Sequence, residues 1–349
     1  MRSETSNWFS KTGWSKNPFA LEIRPELFVG CAGIISELER GLSAGQKYAV
    51  VLGPTGSGKT TLLKKIAMQS PSFYLPKPPT TKDELLNIFS QIYFGTGIAR
   101  KLFGPRDVSL YNFSENANKK YKGKPPILLI DEANESDIDV LEWFRALIDQ
   151  IEGQSAIFAG LPSFKPTHLD KLETLSQRVT ISINMNSLTK DETFELIRKR
   201  IESVGGRGTD PFTADTIFKI YSKTGGFPRE VIKICNNLVL KASARDASII
   251  DLSYLDGTEP TNFDADEILS TLTQKQVHLL EILSKEPLTP TDIVSKADLP
   301  EYKTKAHALR GVNNMLRRLE SANIVCREKK GKRYKYALEP KIKTLLVKA

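Results

Sequence analysis

The residues best suited to chemistry form one short glycine-rich stretch in the N-terminal part of the chain. The stretch reads G-x-x-x-x-G-K-T and consists of Gly53, Pro54, Thr55, Gly56, Ser57, Gly58, Lys59 and Thr60. The apolar run VVL precedes it and the helical run KTTLLKKIAMQ begins at Lys59, which predicts a strand, a turn and a helix. Glycines let backbone N–H groups surround a phosphate, and the start of a helix adds partial positive charge. The stretch therefore predicts a loop that binds nucleotide phosphates.

Three side chains at the end of this loop have separate expected roles. Lys59 is expected to reach the β and γ phosphates, and so to serve both binding and catalysis. The Thr60 hydroxyl is expected to ligate Mg²⁺. Thr61, the next residue, is grouped with the nucleotide-binding residues. The predicted cofactors are therefore ATP or ADP, with Mg²⁺.

A second candidate group stands at the end of an apolar run. Residues 127–130 are apolar and lead directly into Asp131 and Glu132. A buried strand of this kind would deliver the Asp131 carboxylate to the floor of the nucleotide site, where it would hold Mg²⁺. Glu132 would orient and activate a water molecule for attack on the γ-phosphate. A glutamate beside the aspartate favours hydrolysis over nucleotide storage, so the pair predicts an ATPase.

These groups need a parallel sheet to position them. Besides the strands at VVL and 127–130, strands are predicted at 72–75 and in the runs SAIFAGLPSF and RVTISIN. Helices between them are predicted at 31–45, 59–69, 81–94 and 138–151. Strands that alternate with helices indicate the α/β class with a parallel three-layer sheet. After residue 187 the strands stop, and a small all-α unit is predicted from helical patterns at 190–204, 214–224 and 228–244.

Length and composition limit the class of protein. A chain of 349 residues predicts two or three domains. No run approaches about 18 apolar residues, so no membrane span is expected. The first residues lack the apolar segment of a signal peptide. Three widely spaced cysteines form no metal pattern and predict reduced thiols in a cytoplasmic protein.

The positive charge is concentrated at the C-terminal end. Of the net charge of +9, residues 265–349 contribute +7, from 17 Lys and Arg against 10 Asp and Glu. A basic tail on a nearly neutral body suggests a polyanionic partner for the tail. The alternative is a merely solvated basic surface.

The basic tail also has a recognisable order of elements. Three helical patterns and then a strand-turn-strand, VCREKKGKRYKYAL, resemble the winged helix-turn-helix domains of many DNA-binding proteins. In such a domain the third helix enters the major groove and the wing meets phosphates, while Val312, Met315, Leu316 and Leu319 pack inward. The residues expected to contact double-stranded DNA are Lys303, Lys305, Arg310, Asn314, Arg317, Arg318, Arg327, Lys329, Lys330, Lys332, Arg333 and Lys335. Winged domains also dock proteins, so this alternative stays open.

The phosphate loop, the LLIDEA strand and the trailing helices resemble an AAA+ ATPase across residues 17–245. The resemblance implies a P-loop core at 1–186, a helical lid at 187–249 and, after a linker at 250–265, the winged domain at 266–349. It also implies an adenine pocket near Phe28 and Val29, in a segment similar to the family's FVGR box. Cys31 stands where the family has arginine.

The resemblance implies three further functional residues. A polar sensor is expected near Gly160, for which Ser163 is a candidate. Arg178, ahead of the last strand, is expected to stabilise charge on the γ-phosphate of a neighbouring subunit, which implies an ATP-dependent homo-oligomer. Arg229, in GGFPR at the start of a helix, is expected to touch the γ-phosphate from the lid.

Two families of AAA+ proteins share features with the chain. GWSKNPF and the GLP strand end resemble the secretion and transposition ATPases of the ExeA and TniB type. The winged tail and GGFPR resemble the archaeal origin-binding initiators of the Orc/Cdc6 type. Both imply an ATP-controlled DNA-binding protein. It would act in replication initiation or loading, or else as a transcription regulator or transposition helper. A signalling or defence NTPase whose winged domain binds protein is the third alternative.

Overall fold

A computed structural model of the chain describes residues 8–30, 32–96, 108–121, 123–255, 272–297, 304–321, 324–330, 333–338 and 342. The chain divides into two compact units, which are Ile23–Met185 and the combination of Met1–Glu22 with Asn186–Ala349. Within the described residues no helix has the length and apolar character to cross a membrane.

The first unit is built on a five-stranded parallel sheet. Its strands are β1 (Tyr48–Leu52), β2 (Ser72–Leu75), β3 (Ile127–Ile130), β4 (Ala156–Gly160) and β5 (Val179–Asn184). They lie in the order β2-β3-β4-β1-β5. All five residues of β1 and of β4 are buried, as continuous apolar runs predict for a sheet covered on both faces. The predicted strands and their parallel arrangement are confirmed.

Helices cover this sheet. They are α1 (Ala32–Ser43), α2 (Lys59–Gln69), α3 (Lys82–Phe94), α4 (Phe113–Lys120), α5 (Ile138–Gln150), and the single turns α6 (Phe164–Thr167) and α7 (Glu173–Ser176). The helices predicted from apolar spacing are confirmed, and Thr81 caps α3 by accepting a hydrogen bond from the Glu84 N–H. Helix α4 escaped prediction because FSENANKK has little apolar periodicity, although Phe113 is fully buried against Phe89.

The second unit begins with the three helices expected after the sheet. They are α8 (Lys190–Glu202), α9 (Ala214–Thr224) and α10 (Pro228–Ala244). A capping box at Thr189 starts α8, and the left-handed Gly225 ends α9. Ile250, predicted to lie in a linker, is instead buried, because its backbone pairs with the segment that precedes α9.

The N-terminal segment packs on these helices, which differs from the domain boundary that the sequence predicts. The Trp8 indole N–H donates to the Ala247 carbonyl at 2.7 Å. Arg200, itself buried, donates to the Pro18 carbonyl at 2.9 Å. No local sequence pattern predicts this packing, because the buried aromatic side chains find partners about two hundred positions away, as Phe19 does against Phe212.

The C-terminal part of the second unit has helices followed by a two-stranded antiparallel sheet. The elements are α11 (Gln274–Lys285), α12 (Pro290–Lys296), α13 (Lys305–Ser321), β6 (Val325–Lys330) and β7 (Arg333–Leu338). Its core includes Leu280, Ile293 and Val312, each fully buried. The predicted order of helices and hairpin is found, and the predicted inward positions Val312, Leu316 and Leu319 are buried while Met315 is partly buried.

Candidate nucleotide-binding site

The glycine-rich stretch forms a tight loop between β1 and α2. Gly56 and Gly58 have φ angles of 80° and 101°, in the left-handed region that side chains disfavour. A Cβ atom on Gly53 would lie 2.7 Å from the Ser57 Oγ atom and 2.8 Å from the Met185 carbonyl oxygen. The backbone can take this path only with glycine at these positions, and the loop presents the start of α2 as predicted.

The loop holds polar side chains inside it. Lys59 is 6% exposed, and its ammonium donates to the carbonyls of Gly53 at 2.7 Å and Pro54 at 3.2 Å. The Ser57 hydroxyl is buried and has no hydrogen-bond partner within the described residues. A buried cation that bonds to loop carbonyls, beside an unsatisfied hydroxyl, fits an anionic ligand such as a nucleotide phosphate.

The predicted metal ligands meet at the end of β3. The Thr60 hydroxyl donates to the Asp131 Oδ2 atom at 2.6 Å, although 71 positions separate the two residues. The Asp131 Oδ1 atom accepts from the Glu132 N–H at 3.0 Å, and Asp131 is only 2% exposed. Hydroxyl and carboxylate oxygens are ligands that Mg²⁺ prefers, so the donor set fits the predicted ion.

Tyr74 is a third group on this carboxylate, and no pattern in the sequence predicts it. Its hydroxyl donates to the Asp131 Oδ2 atom at 3.0 Å. Burial raises the pKa of Tyr74, and the charge of Asp131 and this hydrogen bond raise it further. The phenol therefore stays a hydrogen-bond donor. The contact arises because β2 pairs with β3 in parallel, with Tyr74 opposite Leu129.

Glu132 lies at a backbone turn of unusual conformation. Its φ angle of 50° is in the left-handed region, and a short 3₁₀ turn, Ala133–Glu135, follows it. Such conformations cost free energy in residues other than glycine and collect at functional sites. Within the described residues the Glu132 carboxylate accepts no hydrogen bond, so it is available to orient a water molecule as predicted.

The segment before α1 lies beside the phosphate loop. Phe28 is partly buried against the apolar core, and a Cβ atom on Gly58 would lie 3.4 Å from its ring. Val29 is buried. These positions suit the predicted adenine pocket, which stays a prediction, while Cys31 lies outside the described residues.

Arg178 lies at the amino-terminal end of the strands, whereas the phosphate loop lies at their carboxyl-terminal end. It precedes β5, whose first residue, Val179, pairs with the first residue of β1, Tyr48. Its Nε atom is 2.7 Å from the Asp149 Oδ2 atom, which also accepts from Arg145 at 3.2 Å. The five residues of β1 span about 16 Å, so Arg178 does not reach the loop of its own chain. Its role toward a neighbouring subunit stays a prediction.

Ser163 and Arg229 are the two remaining residues that the sequence predicts for this site. Ser163 stands ahead of the turn α6, and its side chain makes no hydrogen bond within the described residues. Arg229 is exposed in the first turn of α10. Its proposed contact with the γ-phosphate stays a prediction.

Six of the predicted DNA-contacting residues are exposed on α13 and β6. Arg327 pairs with Glu320 at 3.1 Å and lies over the Tyr334 ring, 4.9 Å from its centroid. Lys335, on β7, is partly buried. Lys329, Lys330 and Arg333 belong to the two strands, whereas Lys303 and Lys332 lie outside the described residues. The exposed members are Lys305, Arg310, Asn314, Arg317, Arg318 and Arg327.

Comparison with known families identifies the region around this loop. Residues 42–167 match the family described as AAA domain. The match spans the phosphate loop, Asp131, Glu132 and the end of β4, so the paired groups described above belong to a P-loop nucleotide-binding fold. The predicted resemblance to AAA+ proteins is confirmed.

Two curated relatives match a larger share of this chain than the AAA family does. An uncharacterized HTH-type transcriptional regulator of Methanocaldococcus jannaschii is 27% identical over 63% of this chain and 54% of its own length. The general secretion pathway protein A of Aeromonas hydrophila is 26% identical over 67% of this chain and 44% of its own length. The chain thus spans about half the length of the curated relatives it matches.

The fold as a whole is similar to that of archaeal initiator proteins. The ORC2 protein of Aeropyrum pernix, solved in ADPNP and ADP complexes, has a TM-score of 0.55 and 14% sequence identity. The similarity covers 95% of this chain and 97% of that chain. The fold expected from the resemblance to the Orc/Cdc6 type is therefore confirmed.

Proposed function

We propose that this protein binds ATP with Mg²⁺ and hydrolyses it. The cycle of binding and hydrolysis controls how tightly residues 266–349 bind double-stranded DNA. The contact between Thr60 and Asp131 at 2.6 Å, at the mouth of the phosphate loop and beside Glu132, carries the proposal. It unites the ion-binding pair and the candidate base at one point of an AAA domain.

Each residue at the site has one task in this reaction. The loop N–H groups and Lys59 bind the β and γ phosphates and balance their charge. Thr60 and Asp131 would hold the magnesium ion, which supplies charge neutralisation on the phosphates. Glu132 orients the attacking water and accepts its proton at the carboxylate. Arg178 acts on the γ-phosphate of a neighbouring subunit and Arg229 on that of its own chain.

The proposed DNA binding is supported by observations that are separate from the nucleotide site. The C-terminal residues hold most of the net positive charge, and the polar face of α13 is exposed while its apolar face is buried. An exposed helix with arginine and asparagine side chains suits the major groove, and a basic hairpin suits phosphates. We assign these residues to a winged helix-turn-helix domain that serves replication initiation or loading.

A transcription regulator under ATP control is the second candidate. The relative from Methanocaldococcus jannaschii, named as an HTH-type transcriptional regulator, favours it. Both candidates require DNA binding, and they differ in where the protein binds. Mapping of bound sites across a genome separates them, since binding confined to promoters would eliminate the replication role.

The proposed function is tested by ATP hydrolysis with and without duplex DNA, alongside mass in solution with ATP. We expect turnover that rises when DNA is present, together with a larger mass when ATP is bound. The Lys59→Ala variant is the matched control and should lose both responses. If the wild-type protein neither binds nor hydrolyses ATP, with DNA or without it, the proposed reaction is refuted.

A further inference from the structure

The end of β4 lacks a polar side chain of its own. It ends at Gly160, and a Cβ atom there would lie 3.1 Å from the Asn134 Oδ1 atom and 3.4 Å from the Asn134 backbone nitrogen. The space that a polar residue at this strand end would fill is therefore occupied by Asn134, which arrives from the turn after β3. Ser163, the residue expected for this place, makes no such contact.

The hydrogen bond that Asn134 accepts fixes the orientation of its side chain. The Leu161 N–H donates to the Asn134 Oδ1 atom at 3.0 Å. An N–H group requires an acceptor, so the amide oxygen must face Leu161 and the amide NH₂ group must face away. Within the described part of the chain the Asn134 NH₂ group donates to no protein atom, so two N–H donors are left for a ligand.

The same amide lies next to the phosphate loop. Strand β4 lies between β3 and β1, and the Gly160 carbonyl accepts from the Gly53 N–H at 3.2 Å. The left-handed turn at Glu132 reverses the chain after the acidic pair, and this reversal brings Asn134 back against β4. The Asn134 amide thus lies against the end of β4, whose last residue is hydrogen-bonded to the first glycine of the loop.

We propose that the Asn134 side-chain NH₂ group donates a hydrogen bond to the terminal phosphate of ATP, and so distinguishes ATP from ADP. The inference rests on the proposed function, since it names a further contact at the same site. A neutral amide is suited to this place because Lys59 already supplies the cation, and a donor aimed at the γ-phosphate adds selectivity for the triphosphate.

Two substitutions separate the donor from the acceptor. Asn134→Asp keeps an oxygen for the Leu161 N–H and removes the NH₂ donors, whereas Asn134→Ala removes both without adding charge. The readouts are the dissociation constants of a non-hydrolysable ATP analogue and of ADP, the thermal unfolding midpoint, and kcat. Glu135→Gln is the matched control, because it changes the residue next to Asn134, whose carboxylate pairs with Lys77 at the exposed surface.

We expect both Asn134 variants to lower the preference for the analogue over ADP by about tenfold, the size of one hydrogen bond to a charged group. A fall in kcat of at least that size should accompany it. Asn134→Asp should unfold near the wild-type midpoint, and Glu135→Gln should keep the wild-type preference and turnover.

Failure of this inference is distinguishable from failure of the proposed function. Wild-type preference and turnover in both Asn134 variants would overturn the role of Asn134, even if Glu132→Gln is inactive. A fall in thermal midpoint with an unchanged preference would also overturn it, because it would reduce Asn134 to a structural role. If wild-type protein shows no ATP binding, the proposed function itself is wrong.

Discussion

The nucleotide site and the C-terminal basic surface hold their charges in opposite ways. Asp131 is 2% exposed and accepts hydrogen bonds from Thr60, Tyr74 and the Glu132 backbone. In contrast, the Arg327 side chain is 52% exposed, and the α13 residues Arg317 and Arg318 are exposed as well. One region fixes a few groups in a single geometry, and the other displays many cations.

The difference predicts how each region responds to change. A buried charge interacts strongly with its neighbours because the local dielectric constant is low and salt has little access. Exposed cations act together, and salt screens them. A single substitution should therefore be severe at the nucleotide site and mild on the basic surface, where ionic strength is the larger variable.

Loss of the loop cation should give the largest effect. Lys59→Ala removes the buried ammonium that the phosphates would meet, so ATP affinity should fall by a factor of about 100 or more. Calorimetry or fluorescence titration measures it, and Lys65→Ala, on the same helix, is the control. Unchanged ATP affinity in Lys59→Ala would show that the loop does not bind nucleotide. The proposed difference between the two regions would then be wrong.

Loss of the candidate base should give the second-largest effect. Glu132→Gln keeps the size of the side chain but cannot accept a proton, so hydrolysis should slow by about 100-fold while ATP still binds. Phosphate release and ATP binding are measured on the same sample. Glu135→Gln, which alters the exposed partner of Lys77, should hydrolyse at the normal rate. Normal turnover in Glu132→Gln would show that another group activates the water.

The basic surface should respond mainly through salt. Replacing Arg317 and Arg318 together by alanine should weaken duplex DNA binding and lower the slope of log Kd against log salt by about two, one for each lost phosphate contact. Filter binding or anisotropy over a range of salt concentrations measures the slope, with the exposed Lys219→Ala as control. A loss of affinity with an unchanged slope would mean that these arginines read bases rather than phosphates.

Removal of the Tyr74 hydroxyl should have the smallest effect. Tyr74→Phe keeps the ring and deletes one hydrogen bond to Asp131, so kcat should fall by about fivefold with ATP affinity nearly unchanged. Since the pKa of Tyr74 is raised, its bond should persist below the ordinary tyrosine pKa of about 10 and be lost only at higher pH. The ratio of wild-type to variant kcat should therefore be constant from about pH 7 to 9. A ratio that falls within this range would contradict the assignment.

Local patterns predicted the parts of the molecule that depend on neighbours in sequence. The phosphate loop, the acidic strand end, and the helices Ala214–Thr224 and Pro228–Ala244 have the predicted bounds because their apolar spacing, caps and glycines all agree. The exposed and buried faces of α13 followed from spacing alone.

Contacts between distant segments escaped prediction for a physical reason. Tyr74 meets Asp131 only because β2 lies next to β3, and the order of strands in a sheet is not encoded in any one strand. Asn134 reaches the end of β4 through the left-handed turn at Glu132, a conformation that glutamate rarely adopts. The polar residue two positions after Glu132 was the signal available in the sequence.

The central claim is that nucleotide bound at the phosphate loop governs the affinity of the basic surface for DNA. The most direct test is the dissociation constant of the full chain for duplex DNA, measured without nucleotide, with ADP, and with ATP held unhydrolysed by the Glu132→Gln variant. An ATP-controlled switch predicts affinities that differ by at least about fivefold between the ATP and ADP states, a coupling of about 1 kcal/mol. Equal affinities in all three states, with ATP shown to be bound, would contradict the claim.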